Sequence, residues 1–466
     1  MNTLIAPCKP FEGKPCINTP AIYGASPGRP FLFRIPVTGS GPMSVTCEGL
    51  PSGLCLDDKR IISGSAEQPG SYTVLIRADN PEGADQKVMT LEIGQGNVLA
   101  TPLMGFTSWN AFRNQVTEQD ILQTAALMDE LGISECGYNY VNIDSSWQGA
   151  YGGPFDAIQP NDRFPDMQGM VSRLHGMGFH CGIYSSPMMH SWGNFADTPR
   201  ADYPGCTRGP RDLRFADTMG GIGCERLEEN NVRQWTEWGI DYLKYDWGPT
   251  DTVNADIMRK ALDKADRDIG YCVTVWADFP YRDYWRTYVN SWRCQADADC
   301  RWPIFLNVIK DSDRWLDYIG KYHFYDLDML EVGYYDDSPC ELTEDEQVTA
   351  YSMRVVFNSP IQISCRLDRA DDFLIALLCN NEVIAVDQDI ACAAKPVAVE
   401  IQGDTFTKRY RKTLSDGRVL EAFFNLGEKD AYFDVSGRYR DLWAQQDVVT
   451  DGLTLAPHCC RLLKTM

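Results

Sequence analysis

The stretch WGIDYLKYDWGPTD, residues 238–251, is largely apolar from Ile240 to Leu243 and then places Lys244 and Asp246 within three residues. Seven further runs with the same apolar character occur between about residue 100 and residue 395: LMGF, YNYVNI, HCGIY, YCVTV, YVNSW, FYDLDML and IQIS. Helix-like segments alternate with them. TEQDILQTAALMDELG offers Thr117 as an N-cap, Ile121, Ala125 and Met128 on one face, and Gly132 as a stop. TEDEQVTAYSMRVVF opens on a capping box of Thr343 and Glu346. Eight strand–helix pairs over about 290 residues predict an α/β fold, the (β/α)8 TIM barrel. Strands of such a barrel are buried along most of their length, but their C-terminal ends open onto the face where active sites are built. A run fit for the interior that finishes in an ammonium and a carboxylate has its natural place there.

The other strand ends carry polar groups too. Trp109 and Asn110 follow the first run, Asp144 the second, Tyr184 the third, and Arg293 and Asp297 the sixth, while Asp326 and Asp328 sit in the seventh. Two carboxylates across a cleft, with aromatic rings around them, are what glycosidic bond cleavage needs: one attacks the anomeric carbon and the other protonates the leaving oxygen. Asp246 is the candidate nucleophile, because Lys244 lies two residues earlier on the same side of the strand and a nearby cation keeps a carboxylate ionised. Asp297 is the candidate acid, which requires a raised pKa, with Asp299 as the alternative. Against these stand plainer readings: Asp246 as the N-cap of the next helix, and Trp109, Trp147 and Trp276 as core aromatics. Two other function classes fit the same residues, a Schiff-base enzyme using Lys244 and a carbohydrate-binding barrel without chemistry.

Residues 1–98 read as an N-terminal β-sandwich. Tyr72, Val74, Ile76 and Ala78 of SYTVLIRAD share one face, and Gly/Pro-rich turns separate such runs. The barrel spans 99–394. Residues 395–466 read as a C-terminal antiparallel β domain, expected as a second sandwich and opening on a hairpin with an Asp416-Gly417 turn. Lys plus Arg number 43 against 65 Asp plus Glu, a net charge of −22 that repels phosphate backbones and anionic lipid. No nucleic-acid partner and no membrane insertion are expected. A neutral carbohydrate fits, and the oligomeric state is not legible. The opening MNTLIAPCKP lacks the apolar core of a signal peptide, which leaves a cytoplasmic chain or one whose leader is absent, and the second, with a secreted or periplasmic location, is the expectation. Of 17 cysteines, Cys181, Cys272 and Cys365 lie in apolar runs. Cys8/Cys16, Cys47/Cys55, Cys206/Cys224 and Cys294/Cys300 have spacings that allow pairing in an oxidising compartment. The absence of CxxC and HExxH motifs argues against a zinc site.

The motifs TPLMGFTSWNAF, YNYVNIDSSWQG, FPDM, GIYSSP, WGIDYLKYDW, SWRCQAD and DLDMLEVG with LTEDE occur in the order and spacing of the α-galactosidase family of clan D glycoside hydrolases, the melibiase-like family 27. NNEVIAVDQD continues the resemblance to the barrel's end. Residues 20–97 resemble the Ig-like module ahead of some bacterial members. The resemblance implies a double-displacement, anomer-retaining hydrolase acting on a terminal galacto-configured sugar, with neither metal nor organic cofactor. It also implies Asp246 as nucleophile and Asp297 as acid/base. Lys244 and Arg293 then hold ring hydroxyls near C3 and C2, Asp144 holds O4 and O6, and Trp109, Tyr184 and Asp328 line the pocket.

The chain departs from that family at three places. Ser145 stands where galactosidases show a second acid, which removes a charge-assisted hydrogen bond worth about 1.5–3 kcal/mol from the contact that recognises an axial O4. Gly248 replaces the cysteine that commonly follows the nucleophile motif. Thr274 and Ala277 stand where relatives resemble CEWP, small residues similar to those of the N-acetylgalactosaminidase branch, and a two-residue slip puts Trp276 there instead. An α-galactosidase leads. The alternatives within the family are an α-N-acetylgalactosaminidase, a β-L-arabinopyranosidase and an isomalto-type α-glucan hydrolase.

Overall fold

The computed structural model describes residues 5–188, 226–274 and 276–466. Its centre is a ring of eight parallel strands: β1 Met104–Thr107, β2 Tyr140–Asn142, β3 His180–Ser185, β4 Tyr242–Asp246, β5 Gly270–Thr274, β6 Ser291–Trp292, β7 Phe324–Tyr325 and β8 Ile361–Ile363. Each falls in one of the eight apolar runs. Neighbours in sequence pair in order, and β8 returns to β1 with Met104 opposite Ile361. Between β7 and β8 closure is made by a single parallel bridge from Leu330 to Ile363. Nearly every strand residue is buried, because helices cover the outside while side chains fill the inside.

The helices start where the sequence says they should. Thr117 caps the helix Glu118–Glu130 in a reciprocal box with Asp120, and Ile121, Ala125 and Met128 face the barrel. Thr343 and Glu346 form the second box, at the head of Glu344–Phe357. The helix Thr252–Asp263 after β4 is capped by Asp251, whose side chain accepts from Val253 N and Asn254 N. Asp246 is therefore released from the capping role.

Before the barrel, a four-stranded sheet and a three-stranded sheet enclose Phe33, Ile62, Val74, Ile76, Met89 and Leu91. After it, residues 395–465 form a six-stranded antiparallel sheet that starts from an earlier hairpin than expected, Lys395–Gln402 on Thr405–Thr413, and the Asp416-Gly417 turn joins its second and third strands. Its strand Ala431–Asp441 shifts register between Phe433 and Ser436, and a separate small core of Phe423, Val435, Leu455 and Leu463 lies against it. The N-terminal module sits at the N-terminal ends of the barrel strands: Tyr23 Oη lies 3.1 Å from Nε2 of His180, the first residue of β3. Glu135 is the main polar tie. It accepts from Arg34 Nη2 at 2.7 Å, Arg60 Nη2 at 2.5 Å and Val37 N at 3.1 Å. The C-terminal sheet docks on the flank, with Trp443 Nε1 donating to Ser352 Oγ at 2.8 Å. Neither domain supplies residues to the cavity at the C-terminal ends of the strands.

The described cysteines are free thiols, so Cys8/Cys16, Cys47/Cys55 and Cys294/Cys300 are not joined. Their surroundings explain it. Cys8 Sγ donates to Cys379 O, Cys16 Sγ accepts from Asn381, and Cys47 and Cys55 lie on strands of different sheets. Cys206 and Cys224 lie outside the described residues. Glu135→Ala removes the buried carboxylate that joins Arg60 to Arg34, leaving Arg34 with Asp129 alone and Arg60 without its partner. It is expected to cost about 3 kcal/mol, read as a fall in the urea midpoint of the full chain relative to wild type.

Candidate active site

A cavity of about 400 Å³ opens at the C-terminal ends of the barrel strands. Trp109, Asp144, Ser145, Lys244, Asp246, Arg293 and Asp297 all line it, so seven residues expected from sequence meet in one place. Asp246, the last residue of β4, is 4% exposed and forms the floor. The side chain of Asp297 is 82% exposed and stands at the rim. Asp299 lines the cavity as well, but its carboxylate is engaged by Arg301 at 2.5 Å.

Lys244 reaches across to Asp144, Nζ to Oδ2 at 2.7 Å, and lies 5.8 Å from the centre of the Tyr184 ring. Asp144 is held in turn: its N–H donates to Ser108 Oγ at 2.9 Å and its Oδ1 accepts from Ser145 N at 2.7 Å. Burial pulls Lys244 down, but Asp144, Asp246 and Asp328 outweigh it and hold the ammonium well above its usual range. A lysine held charged does not attack a carbonyl, so the Schiff-base reading loses its nucleophile.

Arg293 is the second fixed cation. Its Nε donates to Thr274 Oγ1, Nη1 to Asp328, and Nη2 to Asp297 Oδ1 at 2.7 Å. Thr274 and Ala277 are 2% and 1% exposed and lie behind the cavity wall. Trp276 is half-buried at φ 58 and does not line the cavity, and Tyr184 supports Lys244 from behind. Trp147 is a core residue, with its indole N–H on Tyr184 O at 2.9 Å. Asp326 sits below Asp328, accepting its N–H at 2.7 Å.

The electrostatics reverse two expectations. Burial pushes Asp246 up to about 7, because the pull of Lys244 and Arg293 does not offset the loss of water around a carboxylate at the cavity floor. Asp297 moves the other way: the Arg293 guanidinium against it holds its carboxyl below the usual range. In the free protein below about pH 7 the proton therefore resides on the buried acid, while the exposed one is ionised. Position still favours Asp246 as nucleophile, since it lies at the closed end where a bound sugar ring must rest. Asp297 lies at the open end, where a leaving group exits. A sugar filling the cavity brings hydroxyl donors to Asp246 and covers Asp297 from water, and both changes move the proton toward Asp297.

Sequence reasoning missed several contributors. Arg113, exposed at the rim with its guanidinium 6.0 Å from the Trp109 ring, sits at φ 49 just after the single helical turn Trp109–Phe112. It adds to the field that lowers Asp297. Its place four residues beyond Trp109 was a readable signal. Met329 and Tyr335 line the cavity, but no charge pattern marks them in the sequence.

A barrel that presents a buried and an exposed carboxylate in one cavity, each beside a fixed cation, defines a glycoside hydrolase. Residues 101–205 and 211–389 match the family described as Alpha galactosidase A, and the chain belongs to that family. Residues 14–94 match the family described as "Putative Ig domain". The α-galactosidase of Coffea arabica is 30% identical over 362 residues, covering 74% of this chain and 87% of that one. Alpha-galactosidase 2 of Arabidopsis thaliana is 29% identical over 393 residues, covering 78% and 88%. A Bacteroides fragilis structure described as "a putative alpha-galactosidase/melibiase" superposes with a TM-score of 0.86 at 27% identity, over 98% of this chain and 99% of that one.

With the two carboxyl groups displaced in opposite directions, the competent free enzyme carries one proton between them. The profile of kcat/KM is expected to be bell-shaped: it falls above about pH 7 as that proton is lost, and falls again at acid pH as a second proton reaches Asp297. Initial rates between about pH 3 and pH 9 check this. Lys244→Met removes a cation that pulls Asp246 down and should move the upper limb to higher pH.

Proposed function

We propose that the chain removes terminal α-D-galactosyl residues from oligosaccharides or glycoconjugates by double displacement with retention of configuration. The observation that carries this is the placing of Asp246 on the floor and Asp297 on the rim of one cavity, with Arg293 between them. Asp246 attacks the anomeric carbon as Asp297 gives its proton to the leaving oxygen, and a glycosyl ester forms on Asp246. The aglycone departs. Asp297, now ionised, takes a proton from an incoming water, whose oxygen attacks the same carbon and frees Asp246. The charged Lys244–Asp144 pair and the Arg293 fork supply donors and acceptors for the ring hydroxyls in a site largely closed to water, where such bonds are strongest.

Ser145 favours a second reading. Without the neighbouring acid the site loses a charged partner for the sugar's upper hydroxyls, and a β-L-arabinopyranoside, which has the same ring configuration and no C6, demands less of that region. The acetamido reading gains less support, because Thr274 spends its hydroxyl on Arg293 and Ala277 packs behind the wall.

Nitrophenyl α-galactoside, β-L-arabinopyranoside and α-N-acetylgalactosaminide are the deciding substrates. The α-galactoside is expected to have the highest kcat/KM, and NMR of the first product should show the α anomer. Turnover of none of the three overturns the proposal. Asp246→Asn should lower kcat by about 10⁴-fold or more while leaving the melting temperature no lower than wild type, since a neutral amide replaces a carboxyl that is buried at a cost.

A further inference from the structure

Asp328 has φ 70, in the left-handed region that side-chain-bearing residues seldom occupy. The cause lies on the far side of its backbone. Three consecutive carbonyls, those of Leu327, Asp328 and Met329, converge on one guanidinium: Arg354 Nη2 donates to Leu327 O at 3.0 Å and to Met329 O at 2.7 Å, and Nε donates to Asp328 O at 3.3 Å. In an extended chain, hydrogen-bonding groups of successive residues point to alternate sides. A trio aimed one way requires the middle residue to turn. With the backbone turned, the Asp328 carboxylate meets Arg293 Nη1, Ala298 N at 2.8 Å and Met329 N at 2.9 Å.

Arg354 does not line the cavity. It comes from the helix Glu344–Phe357, is completely buried, spends Nη1 on Ala350 O at 3.1 Å, and lies against the equally buried Glu331, Nη2 to Oε2 at 2.7 Å. A buried guanidinium with its donors on three neighbouring carbonyls fixes backbone shape more than it supplies charge.

We propose that Arg354 is a positioning residue for the reaction: it holds Asp328 in its left-handed turn, and through Asp328 it fixes the Arg293 fork that faces both Asp297 and the sugar's C2 hydroxyl. This rests on the glycosidase reading of the cavity. Hydrogen bonds to the 2-hydroxyl strengthen in the transition state of glycoside cleavage, so a loosened fork lowers the rate for substrates that carry that hydroxyl and spares those that lack it. The competing account makes Arg354 only the counter-charge of Glu331.

The double variant Arg354→Met/Glu331→Gln separates the two, because it removes the guanidinium without stranding a buried charge. The quantity read is the ratio of kcat/KM for a nitrophenyl glycoside that the wild type hydrolyses to that for its 2-deoxy analogue, a ratio independent of the fraction of protein folded. The ratio is expected to fall about tenfold or more in the double variant, with Arg354→Lys keeping part of it. An unchanged ratio, or full recovery of kcat/KM in the double variant after a loss in Arg354→Met alone, overturns the proposal. Should the wild type hydrolyse none of the glycosides, the proposed function fails on its own account. The crystal structure of the double variant then still decides this point, by whether φ at Asp328 turns negative and the Arg293–Asp328 pair is lost.

Discussion

The guanidinium of Arg293 is the interaction on which the site depends. It follows β6 and binds groups from three other points of the barrel mouth: Thr274 at the end of β5, Asp328 after β7, and Asp297 four residues further along its own chain. Burial works against any charge, and here three carboxylates, Asp328, Asp297 and Asp246, together outweigh it. The planar fork makes the arrangement specific, since its donors diverge at fixed angles and only an arginine can satisfy all three partners at once. Lys244 and Asp144 repeat the principle on the opposite wall with a single bond.

These two cations divide the carboxylates by depth. Asp246 feels both, yet lies so deep that the cost of removing water prevails. Asp297 feels chiefly one, yet water still reaches it and the attraction prevails. A chain of net charge −22 thus sets two fixed cations where the chemistry needs acids in different protonation states. The same economy holds at the domain seams. The module grips the N-terminal side of the barrel through Glu135 and His180, the C-terminal sheet grips its flank, and among the described residues neither contributes to the cavity at the other end.

Much of this was legible in the sequence. Barrel strands are buried on both faces, so they appear as unbroken apolar runs, and all eight were countable. Helix starts were marked by Thr117 and Thr343, whose side chains satisfy the first free N–H groups. The site residues were legible because a strand end is a local event: Lys244 and Asp246 share one short stretch, and Arg293 precedes Asp297 by four positions. Cysteine spacing was a poor guide, because pairing depends on where two chain segments meet. Trp276, open to both a core and a pocket reading, was undecided for a related reason, since its positive φ turns it out of the pattern that the strand before it sets up.

What the sequence determined alone was the order of strands and helices and the identity of the groups at the barrel mouth, since both follow from periodicity and capping within a few residues. The tertiary structure decided how those groups share charge. Which carboxyl holds the proton turns on burial and on cations brought from distant positions, and no local pattern encodes either. The left-handed turn at Asp328 was likewise settled by Arg354, which lies 26 residues away in the chain and meets it only after the ring has closed.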